Sequence, residues 1–360
     1  MSERNTLIDI AKGLGIILVV LGHNWMIAHE HGLLFRLVFS FHMPLFFFLS
    51  GIFLTESEGL IRFVRTRADG LLKPYFVVLA AWGVARICVA KIPALAYFVG
   101  VLYATGNTIE WVPLWFLPHL FLSLGLALTL LKMTSTSVHS KWIRYTLCGL
   151  CLWTGWWLMT WLAARDWTNI QFLYPLINDT QQIFPGLPWS IDVIGISATF
   201  VLGGFMAKDL MIGFRLHWMA FGVTLLAFGL LQYIFGQSMD LHMRYYGNPV
   251  ISTLQAVLGI YLALSIAAML QKRGGITKML TLLGQSSLFI LLFHSWIEWK
   301  LFVILQNKLH QDYVAATLAL FAGIFLPVLM WMVAQRSHWL SVFLLPYNTK
   351  KRPAAIEGAS

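Results

Sequence analysis

Residues 7–27 read LIDIAKGLGIILVVLGHNWMI, an apolar run long enough to cross a bilayer that nonetheless carries Asp9, Lys12 and His23. A helix needs about 20 apolar residues to span a hydrocarbon core of ~30 Å. A basic residue, Arg4, precedes the run, as in a signal peptide. The run's length and its internal charges make it a retained first span instead. Comparable runs recur along the 360 residues, of which 59% are hydrophobic and 11% charged. Soluble domains carry about 25% charged residues. The pattern therefore predicts an all-α, polytopic membrane protein of about ten spans. They are placed at roughly 7–27, 34–54, 71–91, 113–131, 145–164, 189–207, 213–235, 249–270, 282–304 and 314–335. The apolar stretch 94–106 is too short to span and reads as interfacial or re-entrant.

The net charge of +10 would suggest nucleic acid on a soluble protein. Here the basic residues sort by loop. Arg4, then Arg62, Arg65, Arg67 and Lys73, then Lys132, Lys141 and Arg144, then Lys208 and Arg215, then Lys272, Arg273 and Lys278, and finally Arg336, Lys350, Lys351 and Arg352 fall on one side. The other side holds Lys91, Arg165, Arg244 and Lys308. The positive-inside rule then puts both termini in the cytoplasm, and no nucleic-acid partner is expected. Residues 1–340 are expected to form the transmembrane domain and 341–360 a short basic cytoplasmic tail. Cys88, Cys148 and Cys151 lie in apolar runs and imply no disulfide framework.

Ionisable groups inside a span are expensive and mark function by default. Lys12 and His23 fall on one helix face, separated by ~16 Å of rise, with Asp9 one turn before Lys12. The plain alternatives are a snorkelling lysine and a hydrogen-bonding core histidine. His42, in Ser40-Phe41-His42-Met43-Pro44, lies at a similar depth on the antiparallel second span, so the two histidines are expected to converge. Pro44 is expected to kink that span by denying Ser40 a donor. No carboxylate or cysteine joins them at metal-ligand spacing, so no metal is expected. Arg62, Arg65, Arg67 and Lys73 form a basic cluster that suits the phosphates of coenzyme A or serves topology alone. Trp111–Pro118 suggests an irregular helix start around Trp115. Asp192 sits at the outer end of the sixth span. His294 and Glu298 are spaced to form a hydrogen-bonded pair on the ninth. The outer segment 165–188, with Asp166, Trp167, Asn169, Tyr174, Asn178, Asp179 and Gln181, reads equally as a sugar-holding lid or an ordinary solvated loop.

Several of these pieces come in a recognisable order. They are Asp9-Ile10-Ala11-Lys12-Gly13 with Leu21-Gly22-His23; Phe41-His42-Met43-Pro44-Leu45 through Ser50-Gly51; Lys73-Pro74-Tyr75; Leu114-Trp115-Phe116-Leu117; Trp189-Ser190-Ile191-Asp192; and Leu283-Gly284-Gln285-Ser286-Ser287 with His294. In these the chain resembles the acyltransferase-3 family of bacterial membrane proteins, in particular its fucose 4-O-acetylase-like branch. The resemblance implies a ten-helix membrane domain in the bacterial inner membrane, with acetyl-CoA as donor and a surface glycan or lipid-linked sugar as acceptor. It matches the family's key histidine to His23 and its basic residue, often arginine, to Lys12. Many relatives add a secreted SGNH hydrolase domain. None lies in these 360 residues, so transfer is expected from the membrane domain alone or with a partner. The expected activity is O-acetyl transfer with His23 as general base, supported by Lys12 and His42, and with Asp9, Trp115, Asp192, His294 and Glu298 as substrate or structural support. The rival reading is a transporter or flippase of a glycan or other polar substrate, for which buried charges and ten spans are equally apt. The sugar, its hydroxyl and the oligomeric state are not encoded legibly.

Overall fold

The computed structural model describes residues 5–30, 32–135, 139–165 and 186–347. The expected lid residues from Asp166 to Gln182 lie outside the described residues.

The chain is a bundle of helices, as apolar runs in lipid must be, because the backbone has no water to satisfy its polar groups. In chain order the helices are α1 (Thr6–His23), α2 (Trp25–Ala28), α3 (Leu33–Phe39), α4 (His42–Gly51), α5 (Leu60–Arg67) and α6 (Lys73–Ala90). After these come α7 (Ala94–Tyr103), α8 (Phe116–Thr134), α9 (Ser140–Ala163), α10 (Ile194–Ala207) and α11 (Trp218–Phe235). The last are α12 (Pro249–Leu270), α13 (Gly275–Gln285), α14 (Ser287–Leu309), α15 (Asp312–Arg336) and α16 (His338–Leu344). A two-stranded ribbon, β1 (Met239–Asp240) and β2 (Tyr245–Tyr246), joins α11 to α12. Among the described residues, nine helical stretches are long and apolar enough to cross a membrane. The remaining expected span, at 145–164, coincides with most of α9, a continuous 24-residue helix that ends at Ala163 and whose Trp153, Trp157 and Trp161 are exposed.

Caps set the helix ends. The Asn5 side chain accepts the Leu7 N–H to start α1, and Asn248 accepts from Val250 and Ile251 ahead of α12, with Pro249 at its first position. α1 is the axis of the bundle and packs against α13, α12, α14 and α4. Small residues permit the closest approaches. A Cβ on Gly284 would collide with the Asp9 carbonyl, and one on Gly51 with that of Val201.

Several segments of irregular backbone border one cavity. The second span is not the continuous helix expected over 34–54. It breaks at Ser40–Phe41, and Pro44 falls in the first turn of α4, where a missing N–H disrupts nothing. The break falls where the kink was expected, at the Ser40 carbonyl that Pro44 has no N–H to serve. The ninth span likewise breaks at Ser286, between α13 and α14. A π-turn covers Ala68–Leu72 and a 3-10 turn Val112–Trp115, the latter in the expected irregular stretch. Non-helical backbone at membrane depth is tolerated where protein covers it or it lines a cavity. Each of these segments, or the residue following it, lines the same cavity. At the C-terminal end, residues 345–347 bond to the start of α6 and the turn before it. Lys73 Nζ donates to the Leu345 carbonyl at 2.6 Å, and the Tyr347 N–H donates to Asp69.

Candidate active site

The cavity has a volume of about 420 Å³ and reaches from Lys12 to His23 along α1. His42, Trp115, Asp240 and His242 also line it. Sequence reading expected the first two histidines to converge, and both open on this one space.

Three histidines are pinned by the same device. His23 Nδ1 lies 2.8 Å from the Val19 carbonyl, His42 Nδ1 2.9 Å from that of Val38, and His294 Nδ1 2.8 Å from that of Ile290. Each partner is the carbonyl four residues earlier, which can only accept, so each Nδ1 carries the proton and each Nε2 is left as the basic nitrogen. For His42 the device has a second use. Its ring reaches back across the Phe41 break to a carbonyl at the end of α3, a helix end that needs donors. The His294 ring stands edge-on to that of His23, with centroids 5.3 Å apart, and its buried Nε2 has no hydrogen-bond partner among the described residues.

His294 and Glu298 do not form the pair expected from their spacing. His294 turns to the backbone, while Glu298 Oε1 accepts from Asn24 Nδ2 at 2.9 Å. Asn24 also donates to the Ala316 carbonyl at 3.0 Å and caps α2 through Met26 N–H. The pair thus ties the break after His23 to α14 and α15.

At the far end, Lys12 Nζ lies 4.7 Å from the centre of the Phe53 ring, an attractive cation–π placement. Asp9 is not among the residues lining the cavity; its backbone backs onto Gly284. Arg62, Arg65, Arg67 and Lys73 do not line it either. Arg62 and Arg65 are exposed on α5, and Arg67 stacks 5.9 Å from Phe63. Lys73 is engaged by Asp69 at 2.6 Å and by Leu345.

Sequence reading missed the ribbon. Arg244, expected in an outside loop, is 8% exposed. Its Nε donates to Asp192 Oδ2 at 2.9 Å, its second amino group reaches Asp192 Oδ1 and Ser190 Oγ, and its first donates to the His242 carbonyl at 2.6 Å. Asp192 is fully buried and accepts the Leu187 N–H as well. Trp189 and Ser190 are held at φ +57° and +54°, left-handed values that cost an L-residue energy and persist where the surroundings fix them. Asp192 is therefore a strut that docks the ribbon and, with it, Asp240 and His242. The signal was present in Asp240-Leu241-His242-Met243-Arg244 between Gly236 and Pro249, but a short loop between spans reads as a connector. Burial pushes the His242 imidazole well below its ordinary pKa, partly opposed by Asp240.

A second histidine group lies behind the cavity wall, with the His119 ring 5.3 Å from that of Trp115, which lines the cavity. His119 Nδ1 donates to the Trp189 carbonyl and its Nε2 lies 2.9 Å from Ser197 Oγ, which lies 2.8 Å from Ser123 Oγ. All three are fully buried and none lines the cavity, so this serine–histidine pair braces α8 against α10.

Among the described residues no group of three or more His, Cys, Asp or Glu side chains is placed to hold a metal ion. No curated protein and no solved structure matches the chain. The sequence profile of the acyltransferase domain matches residues 5–335, from just before α1 almost to the end of α15 and including every residue that lines the cavity. A match of that extent shows that the chain belongs to the acyltransferase-3 family, as a multi-pass membrane acyltransferase.

Proposed function

We propose that this protein transfers an acetyl group from cytoplasmic acetyl-CoA to a hydroxyl of a cell-surface glycan or lipid-linked sugar. The observation that carries the reading is a cavity that joins Lys12 to His23. The ~16 Å rise between those residues is the scale of an extended pantetheine arm. The Lys12 end faces the cytoplasm in this reading, with both termini on that side of a bacterial inner membrane. Lys12 attracts the donor's phosphate-bearing end, and the exposed arginines of α5 supply its approach. His23 Nε2 takes the proton from the sugar hydroxyl as its oxygen attacks the thioester carbonyl. The C–S bond breaks, and the thiol leaves with the proton that His23 returns. The fixed Nδ1–H of His23 supports this role, because it keeps Nε2 basic and the ring oriented.

The test is purified protein in lipid nanodiscs with acetyl-labelled acetyl-CoA and a glycan acceptor. Release of free thiol that depends on the acceptor, with label in the glycan, is the expected result. Movement of the glycan across a vesicle membrane without thioester cleavage would replace this reading with a transporter.

A further inference from the structure

The cavity has a charge axis. Among the described residues that line it, Lys12 supplies the cationic side chain and Asp240 the carboxylate. Asp240 lies at the histidine end, close enough to interact electrostatically with His23, His42 and His242. Its Oδ1 accepts the Met243 N–H at 3.1 Å, which fixes the carboxylate at the turn of the ribbon. The His242 ring lies 6.2 Å from that of Trp115 and packs on Gly106, where a Cβ would strike it. Its Nδ1 is buried and has no hydrogen-bond partner among the described residues. A buried polar atom without a partner is costly and calls for a ligand or water.

We infer that the ribbon is the acceptor-reading element, in which Asp240 and His242 bind hydroxyls of a neutral sugar ring whose C–H face rests on Trp115. This rests on the acetyl-transfer reading above and names the substrate class of the same site. A carboxylate accepts two hydroxyl protons, imidazole can accept or donate, and an indole face covers a sugar's apolar side. A hexuronate, by contrast, would bring a second carboxylate towards Asp240 in a poorly solvated space, where like charges repel strongly.

The test uses the whole protein in nanodiscs, without donor, and reads binding by saturation-transfer NMR. The probes are a neutral methyl hexoside and the corresponding methyl hexuronoside. The wild type should bind the first and discriminate against the second. Asp240→Asn and His242→Gln should each weaken the neutral hexoside about tenfold or more. Asp240→Asn should also narrow the gap between the two sugars. Acetyl-CoA affinity should stay within about twofold in both variants, a result that a damaged fold would not give. The inference is overturned if the neutral hexoside binds wild type and Asp240→Asn alike, if the wild type binds no neutral hexoside, or if donor and sugar affinity fall together. Binding needs no turnover. A wild type that binds the hexoside yet releases no thiol would sink acetyl transfer and leave the ribbon's assignment standing.

Discussion

His23 and Ser197 pose the sharpest contrast at the scale of single residues. Both belong to a histidine-centred group, but His23 lines the cavity and Ser197 does not. His23→Ala should lower thiol release by on the order of 10²–10⁴-fold, the usual contribution of a positioned base, with membrane abundance near normal. Ser197→Ala should keep most of the activity. Loss of turnover in Ser197→Ala at full abundance, with label trapped on the wild-type protein, would move the chemistry to a serine nucleophile. Lys12 gives a second single-residue test. Lys12→Arg should retain substantial activity and Lys12→Met should lose most of it, because in the proposed reaction a cation at that end attracts the donor's phosphates. Adding Asp9→Asn to Lys12→Met separates a role in balancing Asp9 from one in holding the donor. Recovery of activity in the double variant assigns Lys12 to Asp9.

Secondary-structure elements are where the ion pair of Asp192 with Arg244 acts. The pair joins the 3-10 turn Pro188–Val193, just before α10, to the ribbon before α12, with both side chains nearly free of solvent. Removing one partner leaves the other charge buried, typically at about 3–5 kcal/mol. Arg244→Met should therefore undock the ribbon, seen as new proteolytic cleavage within 237–248, and should cut turnover through the loss of His242 and Asp240. Arg244→Met with Asp192→Asn should recover part of the protease resistance. Equal cleavage of single and double variants would mean that the ribbon is held by its other contacts. His242 adds a pH dependence of defined sign. Its pKa is depressed in the docked ribbon chiefly by burial, so the neutral form fits and the charged form does not. Docking is then fully stabilised above the ordinary histidine value of about 6.5 and weakens progressively as pH falls below it. Ribbon cleavage should rise on acidification in the wild type and rise less in His242→Gln.

The whole molecule poses the question of orientation. Two roles are open to the arginines of α5, the donor attraction proposed above and the positive-inside signal. Arg62, Arg65 and Arg67 changed together to Gln should raise the KM for acetyl-CoA more than that for the acceptor. Labelling of single cysteines introduced at each terminus should place both on the same face, since α9, when it crosses, makes the number of crossings even. An unchanged acetyl-CoA dependence in a correctly oriented protein would assign the three arginines to topology alone. Membrane spans were legible in the sequence because lipid imposes a composition and a length that 20-residue windows reveal. Lys12, His23 and His42 were legible because a charge or an imidazole in such a window stands out by its cost. The break at Ser40–Phe41 was legible only through Pro44, and the break at Ser286 was not legible, since an apolar run looks the same whether continuous or broken. Asp240, His242 and the docking role of Arg244 were hidden for the complementary reason: polar residues in a short loop are ordinary until something buries them. Composition and periodicity by themselves thus determined that the chain is an all-helical membrane protein, and which intramembrane residues are costly enough to be candidates for chemistry. Tertiary structure decided that Asp192, 52 positions from Arg244, turns a connector into one wall of the site. A buried ion pair between distant segments leaves no local pattern, because its energy exists only once folding has removed both charges from water.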